Sequence, residues 1–176
     1  FSTTILAQNT IINDCCGNLV VAQDGGTYQF FHCTFMGSTC ECTPEGVPLV
    51  FENDPEVGRG TLTFSLLNSI AYGFKETAYN VLLPAGGEGE VNPAVQYSLV
   101  KVSEQAPELI SVITDSTNVR NERPLFNNIC ENNFALTENS PALDSGRDIK
   151  ALNDTLNLGL EKDFRDNKRA LDTPDI

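Results

Sequence analysis

The chain has no tryptophan, one methionine and one histidine in 176 residues. With one histidine, any Ser-His-Asp or Cys-His mechanism has to run through His32. Basic residues are also few: 11 Lys and Arg stand against 24 Asp and Glu, for a net charge of −13. That balance excludes a general phosphate-backbone binder, which needs clustered cations, so nucleic acid is not expected as a partner. No run of about 18 apolar residues occurs, so no helical membrane span is expected in this chain. Two-residue hairpin signals are nearly absent. Only Asp24-Gly25 qualifies, and it belongs to a longer Asp-Gly-Gly corner, which argues against an antiparallel sandwich.

What is present is repetition. The apolar share is 40%, enough for a continuous core, and Gly and Asn punctuate it frequently. One series of short segments is Asn9-Thr10-Ile11-Ile12, Cys33-Thr34-Phe35-Met36, Asn68-Ser69-Ile70-Ala71 and Tyr97-Ser98-Leu99-Val100, with starts 24, 35 and 29 residues apart. A second series is Leu19-Val20-Val21, Leu49-Val50-Phe51 and Val81-Leu82-Leu83. A third is Tyr28-Gln29-Phe30, Leu62-Thr63-Phe64 and Ala94-Val95-Gln96. A strand of three or four residues cannot bury its apolar face alone. Stacking like segments about 4.8 Å apart fills a common core.

The expected fold is therefore all-β: a right-handed parallel β-helix with three strands per coil and three to four coils. The expected organisation is coils over 1–102, an irregular connection over 103–122 and a C-terminal cap of the same domain over 123–176. The corner loops Thr39 to Gly46, Glu52 to Gly60 and Ala85 to Asn92 absorb the unequal spacing. The tail from Arg123 lacks the repeat and reads as a polar cap that ends the stack. The chain opens on Phe1 rather than Met, and the expectation is a piece of a longer protein.

The tail carries a resemblance. Arg123-Pro124-Leu125-Phe126-Asn127, Asn133-Phe134-Ala135-Leu136 and Ser140-Pro141-Ala142-Leu143-Asp144-Ser145-Gly146 resemble the ending of secreted Bacteroidetes-type right-handed β-helix proteins. That group is labelled choice-of-anchor Q or pectate-lyase-like. Asp163-Phe164-Arg165-Asp166-Asn167-Lys168-Arg169 is similar to the element that follows there, and Asp175-Ile176 to the start of its closing element. His32-Cys33-Thr34-Phe35 and Asn68-Ser69-Ile70-Ala71-Tyr72-Gly73 resemble its coil elements. The resemblance implies a surface protein that is either secreted or lipid-anchored at the outer membrane through a missing N-terminus. It transfers no catalytic residue.

The function expected is a non-catalytic β-helix protein contacting a polysaccharide or another cell-surface protein. The alternative is a fragment of a polysaccharide lyase or glycoside hydrolase whose catalytic coils lie upstream. For lyase chemistry, a basic residue beside calcium-binding carboxylates is needed, and Arg59 with Asp54 and Glu56 is the one such loop cluster. For glycan stacking, Tyr72, Phe74 and Tyr79 gather near one corner. No cofactor is expected; Asp144, Asp148, Asp163 and Asp166 are the calcium candidates, with turn capping and pairing to Arg147, Arg165 and Arg169 as the alternative. Cys16 and Cys40 fall at one corner of neighbouring coils, flanked by Cys15 and Cys42. A disulfide, unpaired thiols and a metal site all remain open for these four. Cys33 is expected to pack as a small apolar residue, Cys130 has no evident partner, and the His32 position recurs as Leu67 and Gln96, which suggests a stacking or edge role.

Overall fold

The computed structural model describes residues 3–13, 17–37, 46–53, 60–73, 81–82, 91–102, 115–163, 165–170 and 174–176. Short strands dominate. The first tier is β1 (Thr4–Gln8), β2 (Ile11–Asn13) and β3 (Val20–Gln23). The second is β4 (Gly26–Phe31), β5 (Thr34–Gly37) and β6 (Leu49–Glu52). The third is β7 (Leu62–Leu67), β8 (Ile70–Gly73) and β9 (Val81–Leu82). A fourth holds β10 (Val91–Gln96) and β11 (Leu99–Val100), and β12 (Val119–Arg120) follows.

These strands form three sheets, in the orders β1-β4-β7-β10, β2-β5-β8-β11-β12 and β3-β6-β9. Every pairing in them is parallel, and apart from β11–β12 each strand pairs with the one three places further along the chain. The chain is thus all-β in its main body, with parallel sheets. β12 was expected in the irregular connection and instead extends the second sheet.

Side-chain alternation explains the core. In β7, Leu62, Phe64 and Leu66 point inward and are buried, while Thr63 and Ser65 are half-buried. Phe30, Phe35, Leu49, Phe51 and Ala71 meet them in one cluster. Phe51 and Phe64 stack face to face at 4.0 Å between centroids, and Phe30 meets Phe35 edge-on at 5.1 Å. The second sheet is buried on both faces: Phe35, Ala71 and Val100 look inward, whereas Met36, Ile70, Tyr72 and Leu99 belong to a second cluster on the other side. Such two-sided burial is why its strands read as unbroken apolar runs.

The register revises one expectation. Phe31 pairs with Leu67, and Leu67 with Gln96, so His32 is level with Asn68 and Tyr97, not with Leu67 and Gln96. Likewise Ile12 pairs with Phe35, which makes the segment beginning at Cys33 one residue late. A one-residue slip turns every side chain to the opposite face, and burial of Phe35 decides the register. Tyr28 pairs with Phe64 rather than Leu62. That two-residue shift preserves the face, so the alternation pattern alone does not detect it.

The tail contains β13 (Phe126–Asn128), a 3-10 turn (Ile129–Glu131), β14 (Asn133–Leu136) and α1 (Lys150–Leu156). β13 and β14 form an antiparallel pair. The tail was expected to close the end of the stack, but its described contacts are lateral. Phe134, Ala142 and Ile176 pack on Met36, Ile70, Tyr72 and Leu99, while Ile149, Leu158 and Leu160 pack on Phe31 and Leu67. Its polar contacts reach from Asn9 and Asn13 in the first tier to Asn68 in the third. The reason is the apolar outer face of the second sheet, which needs a cover along its whole height.

Candidate functional site

A cleft lies where the tail crosses the corner between the first and second sheets. That corner is a stack of left-handed residues: Asn9, His32, Asn68 and Tyr97 have φ of 49°, 50°, 50° and 47°. Each turns the chain from a strand of the first sheet into one of the second. Asn tolerates this conformation because its short polar side chain bonds locally, and His and Tyr adopt it at greater cost.

The next position in each tier is Thr10, Cys33, Ser69 or Ser98, and all four bond back two residues. The Thr10 hydroxyl donates to the Gln8 carbonyl at 2.9 Å, the Ser69 hydroxyl to the Leu67 carbonyl at 3.0 Å, and the Ser98 hydroxyl to the Gln96 carbonyl at 2.9 Å. The Cys33 thiol lies 3.4 Å from the Phe31 carbonyl. Rungs also join tiers: the Cys33 N–H donates to Ser69 Oγ at 3.1 Å and the Ser69 N–H to Ser98 Oγ at 3.2 Å. Local side-chain bonds thereby satisfy backbone groups that a turn strips from the sheet ladders.

The left-handed stack also holds the tail. Asn68 is fully buried, and its Oδ1 accepts the Arg147 N–H at 2.8 Å while its Nδ2 donates to the Arg147 carbonyl at 2.9 Å. These two bonds fix the amide orientation. The contact at 3.2 Å between Asn68 Nδ2 and His32 Nε2 is then a donation to the ring, which places the ring proton on Nδ1. Asn9 repeats the device two tiers away, donating to the Lys162 carbonyl at 3.0 Å and accepting from Arg169 Nη1 at 2.9 Å. Arg169 further donates to the Leu160 carbonyl at 2.9 Å.

Burial, with the Arg169 charge adding to it, lowers the His32 pKa to about 3, so the ring is neutral near pH 7. Burial likewise pushes the Cys33 thiol up to about 11 against the opposing hydrogen bonds from Thr10 and Phe31. Cys33 is a free thiol belonging to the inner core, as its apolar reading expected. No thiolate–imidazole pair arises from these adjacent residues: one faces the core, the other the tail. A reactive cysteine needs the opposite shift.

Between this corner and the tail is an open cleft of about 490 Å³. Asn9, Ile11, His32 and Thr34 line one side. Asp144, Asp163, Arg165, Lys168, Arg169 and Asp175 are among the residues on the other. Of the calcium candidates, Asp144 and Asp163 reach the cleft. Asp163 organises its own turn, accepting the Arg165 and Asn167 N–H groups at 2.8 Å each and Asn167 Nδ2 at 2.9 Å. Desolvation raises its pKa, but these donors and the Arg169 charge outweigh it and hold the carboxyl below its usual range. Asp148 caps the Lys150 N–H, and Asp166 pairs with Lys162 at 3.4 Å on the surface. Among the described residues no group of three or more His, Cys, Asp or Glu is arranged to hold a metal. Asp148 and Asp163 follow the turn-capping alternative.

Tyr72 is 5% exposed beneath the tail, with the Lys101 ammonium 5.3 Å from its ring centre. The expected stacking surface is therefore not available on that ring. Phe74 and Tyr79 lie outside the described residues, as do Arg59, Asp54 and Glu56, and Cys15, Cys16, Cys40 and Cys42. Cys130, for which the sequence shows no evident partner, is disulfide-bonded. Every other cysteine lies at position 42 or earlier, so this bridge joins the tail to the N-terminal part of the chain. Sequence reasoning passed over Asn9, Asn68 and Arg169 as site residues. The signal for the first two was present, since both open segments of the first repeat series. No family model, curated protein or solved structure matches the chain.

Proposed function

We propose that the chain is part of a right-handed parallel β-helix belonging to a non-catalytic protein of the cell surface or the medium. Its three sheets are the faces of successive coils. The solenoid reading is supported by the pairing of each strand with the third one onward in three separate parallel sheets. The right hand follows the strong preference of parallel crossover connections. The bridged Cys130 supports an oxidising compartment, and the negative charge suits a solvated outer surface. The resemblance of the tail to the choice-of-anchor Q group agrees with both.

The observation that carries the non-catalytic reading is how the polar groups along the seam between the corner stack and the tail are used. Asn9, Asn68 and Arg169 hold the tail, His32 Nε2 is bonded to Asn68, and Asp163 organises a turn. Catalysis needs a base or nucleophile within reach of a substrate proton, not one committed to its own scaffold. The test is incubation with a panel of neutral and uronic-acid polysaccharides, following unsaturated products by absorbance and new reducing ends chemically. No product above a heat-treated control is expected. Sustained turnover of any substrate would overturn the reading.

A further inference from the structure

We propose that the cleft between the corner stack and the tail binds a polyhydroxylated ligand, one or two sugar units of a glycan. The inference rests on the non-catalytic reading and gives that surface protein its binding site.

The cleft is where the cover lifts off the second sheet. In the outward row Ile11, Thr34, Ile70 and Leu99, the last two are 0–1% exposed, while Ile11 and Thr34 stay half-buried beside the opening. Thr34 is the one polar residue of that row, and its hydroxyl has no hydrogen-bond partner among the described residues. The same holds for the Nδ1 proton of His32, because its Nε2 is the atom bonded to Asn68. Across the opening, the Lys168 ammonium makes no ion pair among the described residues. Asp144 and Asp175 lie on that side too, and Asp175 Oδ1 accepts the Asp144 backbone N–H at 2.9 Å.

Thr34, His32, Lys168 and Asp144 thus line one concave volume together with apolar residues that include Ile11, Phe134 and Leu136. At about 490 Å³ it falls within the size range of small-ligand sites, roughly 300–1,000 Å³. The charges decide the ligand class. Three cations, Arg165, Lys168 and Arg169, and three carboxylates, Asp144, Asp163 and Asp175, line the tail side of the cleft. His32 is neutral. A balanced lining disfavours a phosphate or a polyanion and suits hydroxyl groups, each of which both donates and accepts.

The test is titration calorimetry of the full chain against oligosaccharides of neutral, uronic-acid and N-acetylamino sugars. Thr34→Val, Asp144→Asn and Lys168→Ala are compared with Lys150→Ala on α1, after thermal melts establish that each is folded. Asp144 has φ of 51°, which Asn tolerates. The expected result is saturable binding of at least one sugar class, weakened about tenfold by each cleft variant and unchanged by Lys150→Ala. Binding that survives all three cleft variants overturns the site and leaves the surface-protein reading standing. No binding by the unsubstituted chain overturns the site as well. Conversion of any sugar to product is a separate result that overturns the non-catalytic reading itself.

Discussion

The stacked sheets and the tail solve the same problem, satisfying a chain of short segments, by opposite means. In the sheets one interaction recurs tier after tier: the hydroxyl or thiol of Thr10, Cys33, Ser69 and Ser98 bonds back to the carbonyl two residues earlier, and Phe30, Phe51 and Phe64 continue one core. Among the described residues of the tail no such tier-by-tier ladder occurs, although the Ser145 hydroxyl makes the same bond back to the Leu143 carbonyl. Single side chains bridge distant backbone groups, as Ser140 Oγ does in donating to the Pro124 carbonyl at 2.6 Å and Asn153 Oδ1 in accepting the Leu160 N–H at 2.7 Å. Repetition spreads stability over many equivalent rungs. The tail concentrates it in a few residues, so its attachment is sensitive to individual substitutions at the seam.

The comparison breaks first in the core. Phe64→Ala removes a fully buried ring that stacks on Phe51, and a loss of about 3–5 kcal/mol is expected in urea unfolding. Far-UV and tail-specific probes should report that loss together, since the core supports both regions. A cost under 1 kcal/mol would mean that this stack is not the common core. Cys130→Ser comes next. It opens a bridge enclosing a long loop, and about 2–4 kcal/mol should be lost relative to the oxidised parent. Peptide mapping without reductant should find Cys130 linked to a peptide from the first 42 residues. A free Cys130 thiol in protein purified without reductant would remove the covalent tie from the account.

Much of this architecture was legible because it is periodic. Three apolar segments per repeat, too short to stand alone, left parallel stacking as the consistent solution, and the three observed sheets correspond to the three series. Register was less legible. Cys33 looks like a strand residue and His32 like a loop residue, yet backbone conformation places His32 level with Asn9 and Asn68. The seam was hidden for a different reason. Asn68 and Arg147 are 79 residues apart, and Asn9 and Arg169 160 apart. No local pattern encodes such a pairing. The outward burial of Tyr72 was invisible likewise, because a ring at a corner reads as exposed until the segment that covers it is placed.

Asn68 separates the two regions most directly. Asn68→Ala removes all three of its bonds and leaves the part-buried Arg147 N–H and carbonyl without those partners. About 2–3 kcal/mol should be lost, and hydrogen exchange should quicken over residues 147–160 more than in β7. Asn68→Gly loses the same bonds but tolerates φ of 50° without a side-chain penalty, so it should be the milder of the two by about 1 kcal/mol. Equal effects would mean that backbone strain at the corner contributes nothing. Uniform quickening across β7 and the tail would mean that the two regions unfold as one.

His32 gives the smallest effect and the sharpest separation, because it acts through pH alone. Its pKa is lowered from 6.5 to about 3 by burial first and by Arg169 second. The unfolded chain therefore binds a proton that the folded chain refuses between those values. Stability is complete above pH 6.5 and falls as pH drops toward 3. Between pH 7 and pH 5 the expected loss is about 1–2 kcal/mol. The depressed carboxyl of Asp163 titrates below this window and leaves it undisturbed. His32→Asn supplies a residue suited to the left-handed conformation, level with Asn9 and Asn68, and has no group to protonate there. Its stability should be flat from pH 7 to pH 5. If the variant keeps the parent's slope, some other group carries the acid sensitivity, and the buried imidazole is not what couples the corner stack to the tail.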